Sequence, residues 1–147
     1  TFDSSQVIVP GRMDTLILKD GSVLVMDGAH NGQKMATFVD SFTGKYPNAK
    51  AAILLALKRG KEYTEVLDAL QPIASRLIIT TFSTSQDLPA VSQDADLIAD
   101  YARSLDIPTT VQSDHSIAYK DLLQDSESIK IVTGSFYLLG QVRSLPK

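Results

Sequence analysis

The stretch DTLILKDGSVLVMDGAHNGQ, residues 14–33, decides the architecture. Two apolar runs, 15–18 and 23–26, flank Lys19-Asp20-Gly21-Ser22. An Asp-Gly pair between β-favouring runs marks a hairpin, because glycine accepts the positive φ such reversals need. The first strand is therefore expected to run antiparallel to the second. From Asn31 the period becomes helical: Met35, Phe38, Val39, Phe42 and Tyr46 share one helical face, and Pro47 closes it. A strand thus passes into a helix through Asp27-Gly28-Ala29-His30-Asn31-Gly32.

The chain outside this stretch repeats the alternation. Residues 51–57 (AAILLAL) form an unbroken apolar run suited to a strand buried on both faces. Tyr63, Val66, Leu67 and Leu70 line a helix stopped by Pro72, and residues 77–81 (LIITT) supply the next strand. Val91, Ala95, Ile98, Ala102 and Leu105 mark a third helix, followed by a short strand at 109–112. Ile117, Ala118, Leu122 and Leu123 belong to a helix beginning after Asp114. Residues 129–133 (IKIVT) are the last strand, and Ser135 opens the final helix. Upstream, residues 1–12 (TFDSSQVIVPGR) read as an extended lead-in, since Pro10 biases Val9 away from helix and Gly11 breaks what precedes it. A hairpin followed by repeated α-β units implies an α/β domain with a mostly parallel sheet, helices on both faces, and one antiparallel strand.

Composition narrows the function. At 147 residues the chain is one domain, and 44% hydrophobic with 21% charged residues is a globular balance. Fourteen Lys and Arg against seventeen Asp and Glu leave a net charge of −3, which argues against nucleic-acid binding. No cysteine is present, which removes thiolate metal sites, disulfides and cysteine nucleophiles. His30 and His115 are the only histidines, too few for a histidine-rich metal cluster, and His115 is expected at the surface near a helix start. No apolar run approaches the roughly 20 residues that span a bilayer, so no membrane partner is expected. The chain starts at Thr1 without methionine, as expected for a processed or excised piece.

In open α/β sheets, ligands bind beyond the carboxyl ends of the strands. Three stretches are expected on that rim. In the first, residues 27–32, Asp27 can accept from hydroxyls, His30 can donate or carry charge, and Asn31 can do both. The same stretch also reads as a plain strand-to-helix turn capped by Asn31 or Asp27. In the second, Thr133-Gly134-Ser135, Ser135 is either a helix cap or a ligand contact. The third, Leu57-Lys58-Arg59-Gly60-Lys61, is either an anion-attracting loop or a solvated charge run. The sequence has no G-x-x-x-x-G-K-[ST] P-loop, no G-x-G-x-x-G after a strand and no nucleophile elbow. A receiver-type phosphoacceptor Asp is also absent, because Leu57-Lys58 follows the central strand.

Pro10-Gly11-Arg12-Met13, Asp27-Gly28-Ala29-His30-Asn31 and the run TGSFYLLGQVR at 133–143 occur in an order and spacing that resembles one family. It is the C-terminal domain of the folylpolyglutamate synthase/dihydrofolate synthase family, within the Mur ligase superfamily of ATP-dependent amide ligases. The resemblance implies a single Rossmann-like, three-layer domain with about six strands, five parallel and one antiparallel. It implies an interdomain linker at residues 1–12 and a Mur ligase-type (glutamate ligase) domain at 13–147. Function follows in the same way: L-glutamate is added to folate through an acyl phosphate. The expected partners are ATP, L-glutamate, folate or dihydropteroate, and an N-terminal domain of the same parent chain. That domain would carry the P-loop and the Mg2+ ligands, so no metal ligand is expected here and the fragment alone is expected to be inactive. Arg12 matches the linker arginine on ATP phosphate and is assigned to catalysis and nucleotide binding. Asp27 matches the nucleotide-binding aspartate, His30 (also assigned to catalysis) and Asn31 complete the motif at the cleft, and Ser135 lies near the incoming glutamate. A cytoplasmic monomer is implied.

Departures bear on substrate preference. The family has Pro where Gly32 stands, its Lys-Asp pair is matched at best by Lys61-Glu62, and an Arg usual after the next strand has no match in residues 82–89. Two other readings stand beside this one. The chain could serve another Mur-type amino acid ligase making a cell-wall or storage polymer, or be a stand-alone α/β binding module.

Overall fold

The computed structural model describes residues 14–58, 62–82, 94–143 and 145. The hairpin forms as expected: β1 (Asp14–Ile17) pairs antiparallel with β2 (Val23–Asp27), with Ile17 opposite Val23. Its turn takes three residues, with the Gly21 N–H donating to the Leu18 carbonyl and Gly21 at φ +87°. Helix α1 (Gly32–Lys45) follows, then β3 (Ala51–Leu55), α2 (Tyr63–Leu70), β4 (Ala74–Ile79), α3 (Ala95–Ser104), β5 (Thr109–Val111), α4 (His115–Leu123), β6 (Ile129–Thr133) and α5 (Phe136–Arg143). A short 3-10 turn, Gln71–Ile73, carries Pro72 between α2 and β4. No helix among the described residues is long and apolar enough to cross a membrane.

The six strands lie in the order β1-β2-β6-β3-β4-β5, all parallel beyond the first pair. Inward residues alternate between two cores. Val25, Ile53, Leu55, Leu77, Ile79 and Ile131 pack with α1, α2 and α3 on one face. Leu24, Met26, Leu54, Ile78 and Val132 pack with α4 and α5 on the other. The expected three layers are present. Strands β3 and β6, covered on both faces, are buried along their whole length, which is why their sequences are continuous apolar runs.

Several boundaries differ from the sequence reading. β3 leaves the ladder at Leu55, although Ala56 and Leu57 remain fully buried. β4 begins at Ala74, three residues before the apolar run, and the register shifts at Ala51/Ala52 to admit an extra residue. The polar start of β4 hid it: the Arg76 guanidinium is neutralised by Asp125 at 2.7 Å, a partner 49 residues away. α3 is described from Ala95 with Asp94 as its cap, and Val91 lies outside the described residues.

The sheet has two poles. At the amino pole, the Lys130 ammonium is 1% exposed and donates to Ser22 Oγ at 3.2 Å. Ser22 Oγ in turn donates to Asp20 at 2.6 Å, which ties the hairpin turn to β6. Burial opposes charge on Asp125, yet the Glu127 N–H and the Arg76 guanidinium together hold its carboxyl below the usual value. At the carboxyl pole the register is level: Asp27, Thr133, Leu55, Ile79 and Val111 stand on one rung of the five parallel strands.

Candidate functional site

That rung decides where chemistry can occur. β6 sits between β2 and β3, and its outgoing loop turns to the α4–α5 face while its neighbours' loops turn to the other. Such a reversal opens a crevice beyond the strand ends. The loops after β2 and β6, distant in sequence, meet there.

The β2–α1 loop is fixed by its own polar groups. The Asp27 carboxylate accepts from the Ala29 N–H at 2.8 Å, folding residues 27–29 into a tight turn. His30 Nδ1 lies 3.0 Å from the Gly28 carbonyl. A carbonyl can only accept, so Nδ1 carries the proton and Nε2 is the nitrogen left to accept from a ligand when the ring is neutral. Asn31 is the α1 cap, with Oδ1 accepting from the Lys34 N–H at 2.8 Å. The capping reading therefore holds for Asn31, and its amide N–H groups are what it can still offer.

The β6–α5 loop closes against the same place. Thr133 Oγ1 approaches the Ala29 carbonyl at 3.5 Å. Gly134 adopts φ +105°, and a Cβ there would meet the Ala56 carbonyl and come 2.6 Å from Leu55 Cδ1. Only glycine lets this loop lie on the exit of β3. Ser135 is 3% exposed and its carbonyl accepts from the Leu139 N–H at 3.1 Å, which starts α5. The next residue, Phe136, lies over Gly28: a Cβ on Gly28 would come 2.5–2.9 Å from three ring atoms. Its ring centroid is 6.0 Å from that of His30, at an interplanar angle of 55°.

The structure thus brings Asp27, His30, Asn31 and the Ser135 loop onto one rim. Arg12, the fifth expected site residue, lies outside the described residues, as do Arg59, Gly60 and Lys61. Of the basic run, Lys58 is described and exposed. His115 is the first residue of α4, half-buried beside its Asp114 cap. Asp114 is held below its usual pKa, chiefly by the Ser116 hydroxyl and then by the Ile117 and Ser116 N–H groups. At Gly32, the departure from the family pattern, an added Cβ would lie 2.7 Å from Cβ and Oε1 of Glu65 in the first turn of α2. The missing side chain makes room for that carboxylate beside the start of α1. Phe136 is legible in the sequence only as part of the 133–143 motif and Glu65 not at all, because both reach the rim through packing.

A family model described as the dihydrofolate synthetase C-terminal domain matches residues 14–145. The chain belongs to that family. Within it, the domain is 22% identical over 134 residues to the dihydrofolate synthase/folylpolyglutamate synthase of Bacillus subtilis, covering 91% of this chain and 30% of the relative. It is 26% identical over 130 residues to the UDP-N-acetylmuramyl-tripeptide synthetase of Latilactobacillus sakei, covering 84% and 24% of the two chains. E. coli FolC in complex with ADP superposes with a TM-score of 0.77 at 15% identity, over 94% of this chain and 31% of that one, a likeness of fold. The chain therefore spans under a third of the length of these relatives. Among its described residues, no three His, Asp or Glu side chains gather into a group that could hold a metal ion.

Proposed function

We propose that this domain is the nucleotide- and glutamate-facing part of an ATP-dependent ligase that adds L-glutamate to folate or dihydropteroate. The observation that carries the reading is the meeting of Asp27, His30 and the Ser135 loop on one rung-level rim, within a family-matched fold. In this reading residues 1–12 link to an N-terminal domain that supplies the triphosphate grip and Mg2+, residues 13–147 form the closing domain, and the enzyme is a cytoplasmic monomer.

In the proposed reaction, the substrate carboxylate takes the terminal phosphoryl group of ATP, giving an acyl phosphate and ADP. The amine of L-glutamate then attacks the acyl carbon, the amide forms, and phosphate leaves. The domain's share is alignment and charge neutralisation. Asp27, held by the Ala29 N–H, accepts from the ribose hydroxyls. Asn31 presents its amide N–H groups beside the nucleotide. His30, with Nδ1 committed to Gly28, offers Nε2 as acceptor for a proton or hydrogen bond. Ser135 borders the place of the incoming glutamate. Arg12 offsets charge on the transferring phosphoryl group, and its place on the linker couples domain closure to chemistry.

The test is ATP- and glutamate-dependent ligation by the full-length parent and by this 147-residue chain alone. Turnover by the parent and none by the chain is expected, and robust turnover by the chain defeats the division of labour. Arg12→Ala in the parent is expected to lower kcat with the fold intact; unchanged kinetics would remove the role assigned to it. The Latilactobacillus sakei relative keeps one other reading alive, a Mur-type ligase acting on a cell-wall precursor. Offering the parent both folate and muramyl-peptide acceptors separates the two.

A further inference from the structure

Helix α5 presents one buried stripe to the sheet, made by Leu138, Leu139 and Val142, and Ser135 just before it is buried too. Phe136 stands off that stripe and is 54% exposed, so the core of the domain does not require an aromatic residue there. The ring is nevertheless held in place. One side is backed by the chain at Gly28, where no side chain could fit, and its neighbour is the His30 imidazole 6.0 Å away. The ring therefore stands, more than half exposed, beside the loop that carries Asp27 and His30.

A braced, uncharged π-face of this kind suits a flat heteroaromatic ring and offers nothing to a phosphate or to the carboxylates of glutamate. Two ligands of the proposed ligase contain such a ring, the purine of the nucleotide and the pterin of the acceptor. The pterin is separated from the reacting carboxylate by the aminobenzoyl group. The purine is joined directly to the ribose assigned to Asp27, and Asp27 immediately precedes the glycine that Phe136 covers. We infer that Phe136 is the wall against which the purine base of the bound nucleotide packs. The inference rests on the nucleotide site proposed above.

The experiment measures ADP and inorganic tripolyphosphate binding to the full-length ligase and to its Phe136→Ala, Phe136→Leu and Phe136→Trp variants. Base-aromatic stacking is worth about 1–3 kcal/mol on alanine substitution, so Phe136→Ala should weaken ADP roughly 5- to 150-fold. Tripolyphosphate, which has no base, should bind as before, and Phe136→Trp should hold ADP within about threefold. Phe136→Leu keeps an apolar surface should the alanine variant fold poorly, and it should still lose ADP affinity selectively. Equal weakening of ADP and tripolyphosphate would make Phe136 an interdomain contact and overturn the inference. Unchanged ADP binding, or a rise confined to the KM of the pterin substrate, would also overturn it. Asp27→Ala serves as the reference. If it weakens ADP while Phe136→Ala does not, the inference alone fails; if neither matters, the nucleotide site itself is misplaced.

Discussion

Replacing Gly134 with alanine isolates what holds the rim together. The residue sits at φ +105°, and a Cβ would press on the Ala56 carbonyl and lie 2.6 Å from Leu55 Cδ1. A non-glycine residue forced to positive φ costs about 1–2 kcal/mol. Crowding a packed site adds about 1–3 kcal/mol, and here the obstacle is backbone, which cannot rotate away. Together these give about 3 kcal/mol, or a fall of about 6–12 °C in Tm at this chain length. Gly21 is the control, because its φ is +87° and an added Cβ would meet nothing within 4 Å. Gly21→Ala should therefore show the backbone cost alone, about 1–2 kcal/mol. Urea unfolding of both variants, compared at equal slopes, reads the difference. In the parent ligase, Gly134→Ala should also lower turnover under conditions where it remains folded, by moving Ser135 away from Asp27. Equal destabilisation by the two substitutions would refute the close approach of the β6 and β3 exits.

Three further outcomes are expected. Ser22→Ala leaves the buried Lys130 ammonium without its acceptor and should destabilise the chain by about 1.5–3 kcal/mol; adding Lys130→Met should restore much of that loss in chemical denaturation, and no restoration would show the ammonium to be satisfied elsewhere. Asn31→Ala removes the α1 cap and should lower stability by about 1 kcal/mol, with helix amide exchange fastest near Lys34; protection unchanged at that end would contradict the cap. Because the folded-state carboxyl of Asp125 titrates lower than in the unfolded chain, its stabilisation is present above about pH 4 and is lost as pH falls through the folded value. Asp125→Asn should accordingly flatten the acid limb of a stability-pH profile, and parallel limbs for the two proteins would count against the Arg76 pairing.

The strands and helices were legible because burial on one or two faces imposes a period that the residues obey. Residues 51–57 and 129–133 are apolar throughout because both faces of β3 and β6 are covered. The rim loop at Asp27 was legible as the point where period two gives way to 3.6. What could not be read was adjacency. Nothing local places β6 between β2 and β3, yet that insertion is what sets Ser135 beside Asp27. The start of β4 is not legible in the sequence, because Arg76 looks like loop until Asp125 is seen to neutralise it. Ser135, whose residue type suits either a helix cap or a ligand contact, is almost covered, while the neighbouring Phe136, legible only as part of the motif, holds the exposed position.

The ionic knot around Lys130 and the rim loops occupy opposite ends of the same strand, three residues or roughly 10 Å apart along β6. Resilience and selectivity are thereby assigned to different residues. On the proposed function, mutation at the crest retunes which molecules are accepted while the foundation goes on securing the hairpin, and an engineer seeking a sturdier protein would work at the base and leave the crest untouched.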